Sequence, residues 1–226
     1  MDIITKLDFL KEVDLFSDLQ EEKLVNLARI LIGKKISKHH FIYNTGDTTD
    51  EMFFLSDGTI KIGKHSHDGK EVIKSIIHPK VIFGEAGVMG LGEYDNFAKA
   101  IDTNVKYFAL KVSDFRAFLE SNPELYWKMI DSLGSKLRHT ERRFESLVFK
   151  DARERIIDFL KDNAKNFGRQ VGYEMLIKHS LTQQDIANFT GTSRQTVTSV
   201  LNDLKKSNQI YFKRKSILIR DMTSLS

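Results

Sequence analysis

The chain has 226 residues, no cysteine, and 35 basic against 31 acidic side chains, a formal charge of +4. That length fits one or two domains with a core that needs no staples. The missing cysteine excludes a disulfide framework, a thiolate zinc site, a cysteine-held iron–sulfur cluster and a cysteine nucleophile. The opening Met1-Asp2-Ile3-Ile4-Thr5-Lys6 lacks the charged and apolar segments of a signal peptide, and no apolar run nears the ~20 residues that cross a bilayer. A soluble, cytoplasmic protein with no membrane partner is expected.

In chain order, Leu7–Phe16 and Glu21–Ile32 read as short amphipathic helices. Nine of the 13 glycines then fall between Gly33 and Gly92, separating short β-rich runs. The runs are Phe41–Tyr43, Met52–Leu55, Thr59–Ile62, Val72–Ile77 and Val105–Leu110. Short strands at regular spacing predict an antiparallel sandwich or barrel. Asp68-Gly69 between Ile60–His67 and Glu71–Ile77 predicts a hairpin turn.

The pattern changes at Ser121-Asn122-Pro123-Glu124. A capping side chain, a Pro at the first helical position and an acid in the first turn predict a helix start. Tyr126, Ile130, Leu133, Leu137, Thr140, Phe144 and Leu147 recur at alternating steps of four and three. This a/d seam predicts a helix that pairs with a second copy, hence a homodimer. Lys136, Arg138, Glu141, Arg142, Arg143 and Glu145 read as its charged flanks. The polar joint Lys150-Asp151-Ala152-Arg153 marks a domain boundary. A helix over Glu154–Asn166, a glycine-containing loop, two closely spaced helices and a terminal hairpin are expected after it.

The charge excess is local. Residues 151–226 carry 13 basic and 8 acidic side chains, whereas residues 1–150 carry 22 and 23. A basic region attached to a neutral one points to nucleic acid. Within it, Thr182 and Asp185 have capping spacing, Ala187 is small where a second helix must approach, and Gly191 suits a left-handed turn. Thr192 or Ser193 caps the next helix. Its inward face is Val197, Val200, Leu201 and Leu204. Its outward face is Arg194, Gln195, Thr198, Ser199 and Asn202. This is the pattern of a helix-turn-helix, in which an N-terminal Arg can bridge guanine and Gln can bridge adenine. Tyr211–Ile219 reads as a wing with the basic tip Lys213-Arg214-Lys215, suited to phosphate.

Phe83-Gly84-Glu85, Asp68-Gly69-Lys70-Glu71, the long helix and Thr192-Ser193-Arg194-Gln195-Thr196-Val197 together resemble the cyclic-AMP receptor protein and fumarate–nitrate regulator (Crp–Fnr) family over nearly the full chain. The resemblance implies an α+β fold. Residues 1–120 would form a cyclic-nucleotide-binding-type β-roll, or jelly roll, that senses an effector. Residues 121–150 would form the dimerisation helix, with Tyr126, Ile130, Leu133, Leu137, Phe144 and Leu147 at the interface. Residues 151–226 would form a winged helix-turn-helix. Its DNA-facing set would be Thr182, Gln183, Ser193, Arg194, Gln195, Thr198, Ser199, Lys213 and Lys215. The expected function is that of a homodimeric bacterial transcription regulator on a near-palindromic double-stranded operator, with RNA polymerase as protein partner and no cofactor.

The resemblance also locates the candidate effector residues Gly84, Glu85, Asn96, Phe97, Lys99 and Thr140. Family members that bind cyclic nucleotides use Gly-Glu for the ribose and an Arg followed by Ser or Thr for the cyclic phosphate. Here Asp95-Asn96-Phe97-Ala98-Lys99 replaces that clamp, and Lys does not reproduce a bidentate Arg. Cyclic AMP is therefore not the expected signal, and the effector, if there is one, is unknown. Without cysteine the usual iron–sulfur branch is excluded, and haem would depend on His39, His40, His65, His67 or His78. One alternative comes from His65-Ser66-His67 with Glu71, which resembles the metal motif of cupin enzymes. It would make the chain a metal-dependent β-barrel enzyme with a helical partner-binding domain.

Overall fold

The computed structural model describes residues 2–225. They divide into two compact units, one holding residues 71–73 with 138 onward and the other holding the rest up to 137. No helix among the described residues is long and apolar enough to cross a membrane.

The first unit begins with α1 (Ile3–Lys11) and α2 (Glu21–Ile30). Helix α1 starts earlier than expected, because Asp2 caps it by accepting from the Thr5 amide at 2.8 Å. It also stops earlier, and Asp14–Phe16 forms a separate 3-10 turn. Eight strands follow: β1 (Ile32–Ser37), β2 (Phe41–Tyr43), β3 (Glu51–Asp57), β4 (Ile60–His65), β5 (Glu71–Ile77), β6 (Ile82–Phe83), β7 (Phe97–Ala100) and β8 (Asn104–Lys111). They form two antiparallel sheets, ordered β1-β8-β3-β6 and β2-β7-β4-β5. The turn at Asp68-Gly69 closes as expected, with Gly69 donating to the Ser66 carbonyl at 2.9 Å. Helix α3 (Val112–Glu120), not anticipated from sequence, leads into α4 (Glu124–Phe149).

Two apolar clusters explain the run Met52-Phe53-Phe54-Leu55. Successive strand residues point to opposite faces. Phe53 and Leu55 enter the roll interior with Tyr43, Ile60, Phe83, Tyr94, Ala98 and Ala100. Met52 and Phe54 join Phe108 and Leu110 of β8 beneath the helices, among Phe9, Leu10, Leu27, Phe115 and Leu125. Both faces of β3 and β8 are thus covered, which is why Met52–Leu55 is apolar throughout instead of alternating. Each fully buried Phe here contributes roughly 1.5–3 kcal/mol relative to exposure.

Asn122 does not cap α4 as expected. Its side chain donates back to the Phe118 carbonyl at 2.7 Å, and Ser121 donates to Ala117 at 3.0 Å. Both hydroxyl and amide close the last turn of α3, whose carbonyls would otherwise be orphaned. Helix α4 itself is 26 residues long, or about 39 Å at 1.5 Å per residue. Tyr126, Ile130, Leu137, Phe144 and Leu147 are exposed on it, as are Trp127, Val148 and Phe149 beside the seam. Leu133 is half-buried.

In the second unit, α5 (Ala152–Phe167) starts with a complete capping box between Asp151 and Glu154. The expected loop after it is instead a hairpin, β9 (Arg169–Val171) and β10 (Glu174–Lys178). It forms because β10 pairs with β12 (Ser216–Ile219), which lies some forty residues later. Helices α6 (Gln183–Thr190) and α7 (Arg194–Lys206) precede β11 (Ile210–Lys213), giving the sheet β11-β12-β10-β9.

His179, just after β10, buries both ring nitrogens without a hydrogen-bond partner. Desolvation holds its pKa below the usual 6.5, against a smaller opposing effect of the Leu181 backbone. The folded state therefore resists a proton that the unfolded chain takes up below about pH 6.5. Stability is expected to fall as pH drops through that value, and His179→Phe should flatten the slope. Thermal unfolding of parent and variant at pH 7.5, 6.5 and 5.5 measures it, and parallel slopes would remove His179 from the account.

Candidate nucleic-acid interface

Local hydrogen bonds build the helix-turn-helix. The Thr182 hydroxyl and amide meet the Asp185 carboxylate at 2.6 and 2.9 Å, and the Asp185 amide donates to Thr182 Oγ1 at 3.0 Å. Gly191 ends α6 with φ +66°, a left-handed conformation that costs other residues roughly 1–2 kcal/mol. Ser193 caps α7, accepting from the Thr196 amide at 3.0 Å. The inward residues Val197, Val200, Leu201 and Leu204 are all buried, as expected.

The outward face separates into two kinds of residue. Thr182 and Ser193 have their hydroxyls engaged in caps. Thr198 lies 2.6 Å from Gln183 Oε1 and 2.8 Å from the Arg194 carbonyl, tying the two helices together. Arg194, Gln195, Ser199 and Asn202 stay exposed and line one shallow groove with Thr198. Arg194 is the first residue of α7, where the helix dipole disfavours a cation by a few tenths of a kcal/mol or more. Its presence there does nothing for the helix and suits an anionic or base-edge partner. On the wing, Lys213 and Lys215 are exposed, and Lys213 Nζ lies 5.8 Å from the Tyr211 ring centre.

Within the first unit the candidate effector residues fall into two groups. Gly84 has φ +73°, and a Cβ there would come within 2.7 Å of the Phe53 ring. Glu85, whose side chain is 17% exposed, forms an ion pair with Lys136 of α4. Asn96 accepts from the Tyr43 hydroxyl at 3.1 Å and donates to Asp95 at 2.7 Å. Asp95 is held below the usual carboxylate range by Lys74, 2.8 Å away, with Lys64 at 3.8 Å. Phe97 and Lys99 leave this group, because strand alternation in β7 sends them to the opposite face from Ala98 and Ala100. There Phe97 packs edge-on against Phe41 at 5.5 Å, and Lys99 sits 4.6 Å over the Phe41 ring. Thr140 lies one turn past Lys136 on α4, among residues of the second unit, and is exposed.

Aromatic rings occupy the roll interior. Tyr43 and Tyr94 stack with centres 3.8 Å apart, and the Tyr94 hydroxyl donates to the Glu51 carbonyl at 2.6 Å. Burial, reinforced by Glu85 and neighbouring acids, pushes both phenols well above their usual pKa. His65 stacks on Phe97 at 4.9 Å. Among the described residues, no three His, Asp or Glu side chains gather where they could hold a metal ion.

A family model for the cyclic nucleotide-binding domain matches residues 33–122, and one for the Crp-like helix-turn-helix domain matches residues 154–226. A CRP-like cAMP-activated global transcriptional regulator of Mycobacterium tuberculosis is 28% identical over 97% of each chain. The global nitrogen regulator of a Nostoc species is 26% identical over 92% of this chain and 96% of that one. Among solved structures, FixK2 from Bradyrhizobium japonicum superposes with TM-score 0.77 at 21% identity, covering 87% of this chain and 96% of its own. A CooA mutant from Carboxydothermus hydrogenoformans gives 0.75 at 24% identity, covering 88% of each. At those identities the structures speak for the fold alone. With a matched sensor-type roll, a matched helix-turn-helix and regulators as full-length relatives, the chain belongs to the Crp–Fnr family of DNA-binding transcription regulators, and not to a family of enzymes.

Proposed function

We propose that two copies pair along α4 and bind a near-palindromic operator in the bacterial cytoplasm, without cyclic AMP as the usual signal. Residues 1–120 act as the sensor, 121–150 as the dimerisation helix and 151–226 as the DNA reader, with RNA polymerase as the downstream partner. The observation that carries this reading is the groove of Arg194, Gln195, Ser199 and Asn202 on a capped, exposed helix. The apolar seam left open on α4 supports pairing, since exposed stripes of this size call for a partner.

The charge beside the roll interior argues against a cyclic nucleotide. The carboxylates Glu85 and Asp95 each already hold a lysine. A cyclic phosphate arriving there meets two acids and no Arg fork, and its burial without a cation is costly. The metal-enzyme alternative is set aside, because His65 packs on Phe97 and the chain's family is one of regulators.

Selection of duplexes from a random pool tests the reading. Two half-sites about one helical turn apart, ~34 Å, are expected. Affinity should fall steeply with salt as phosphate contacts release counterions. Calorimetry with cyclic AMP should give no binding at micromolar concentrations. Recovery of no shared sequence would overturn operator recognition, and micromolar heat would overturn the exclusion of cyclic AMP.

A further inference from the structure

We propose that Arg143 is a positioning residue, setting the separation of the two recognition helices by seating the helix-turn-helix turn on α4. This rests on the dimeric operator-binding reading above. Sequence placed Arg143 among the charged flanks of the seam. It is instead partly buried, and desolvation lowers its pKa from the usual guanidinium value. Its guanidinium lies 4.1 Å over the Phe189 ring and donates to the Phe189 carbonyl at 2.8 Å. A second donation, at 3.2 Å, goes to the carbonyl of Ile73, in the short segment that clusters with this unit. A buried guanidinium is costly unless its donors are matched, and here ring and carbonyls match them.

The same turn is held from two further directions. Arg155 of α5 donates through Nε to Thr190 at 2.8 Å, through Nη2 to Gly191 at 3.2 Å and through Nη1 to Lys150 at 2.6 Å. A Cβ on Gly191 would come within 2.9 Å of a Leu147 methyl, so the Leu147 side chain of α4 packs against the turn's backbone as well. The carbonyls of residues 189–191 are those that α6 leaves unpaired at the negative end of its dipole. Two arginines from the two preceding helices satisfy them. Arg194 follows three residues after Gly191, so whatever fixes this turn on α4 fixes where α7 begins. If two α4 helices pair along their seam, the turn's seat on each sets the span between the two copies of α7. Arg143 contributes both a charge and a planar fork to that seat, and it projects from α4 itself.

The test uses the full chain, the selected operator, duplexes with the central spacer altered by one and two base pairs, and a duplex with a single half-site. The parent should prefer the selected spacing. Arg143→Ala should narrow that preference by about fivefold or more, in the range of typical coupling between sites, with half-site affinity unchanged. Arg143→Lys, which keeps one charge and loses the fork, should fall between. An unchanged spacing preference in both variants would overturn the proposal. So would loss of half-site affinity as large as loss of operator affinity, since Arg143 would then merely hold the fold. Should the parent bind no operator, the failure lies with the function reading and not with Arg143.

Discussion

Replacing Arg194 by Ala is expected to weaken operator binding by roughly 1–3 kcal/mol, the worth of one bidentate base contact. Selectivity should relax at a single base pair in each half-site. The helix should not suffer, because a cation at the first position of α7 opposes the dipole and Arg194 is exposed. Competition binding against the selected operator, an operator altered at one base pair and random duplex separates these effects. Lys213→Ala is the internal comparison: loss of a phosphate contact weakens all duplexes alike and reduces the salt slope by about one. If Arg194→Ala binds the selected operator as tightly as the parent, α7 does not read sequence through this residue.

The second large effect is expected from Leu137→Glu. Leu137 is 60% exposed in the protomer, so the change removes little packing from a single copy, and surface substitutions of this kind usually stay within about 0.5 kcal/mol. In a pair it sets two carboxylates into an apolar seam. Light scattering should report the single-chain mass instead of twice that mass. Operator affinity should fall by about 10²–10⁴, because the two half-sites are no longer bound by one linked molecule. Persistence of the dimer with parent affinity would place the interface elsewhere.

The helix-turn-helix was legible from the chain because its signals are local. Thr182 and Asp185, Gly191 and Ser193 act within four residues of themselves, and each cap forms as the spacing demands. The long helix α4 was legible for the same reason. What was not legible depends on distant partners. The hairpin β9–β10 needs β12 to complete its sheet, and nothing near Arg169–Lys178 announces it. Asn122 has the composition of a cap, yet a neighbouring helix end competes for its amide. Arg143 carries the same letter as a solvated flank residue, and only the position of Phe189 distinguishes them. In the roll, the effector candidates Asn96, Phe97 and Lys99 are close neighbours in sequence. Strand alternation divided Asn96 from Phe97 and Lys99, a two-residue periodicity visible in sequence once the strand's boundaries are known.

Strands β3 and β8 lie between the roll interior and the helical layer, with side chains anchored in both clusters. Neither can shift by one residue without exchanging its two sets of neighbours. Their amides therefore belong to the slowest-opening part of the first unit, released to solvent only when the unit comes apart as a whole. A disturbance beside Phe53 or Leu55 reaches Phe54 and Met52 through the same short backbone, and from there Leu125 at the foot of α4. The same two strands thus join the roll interior to the foot of the long helix.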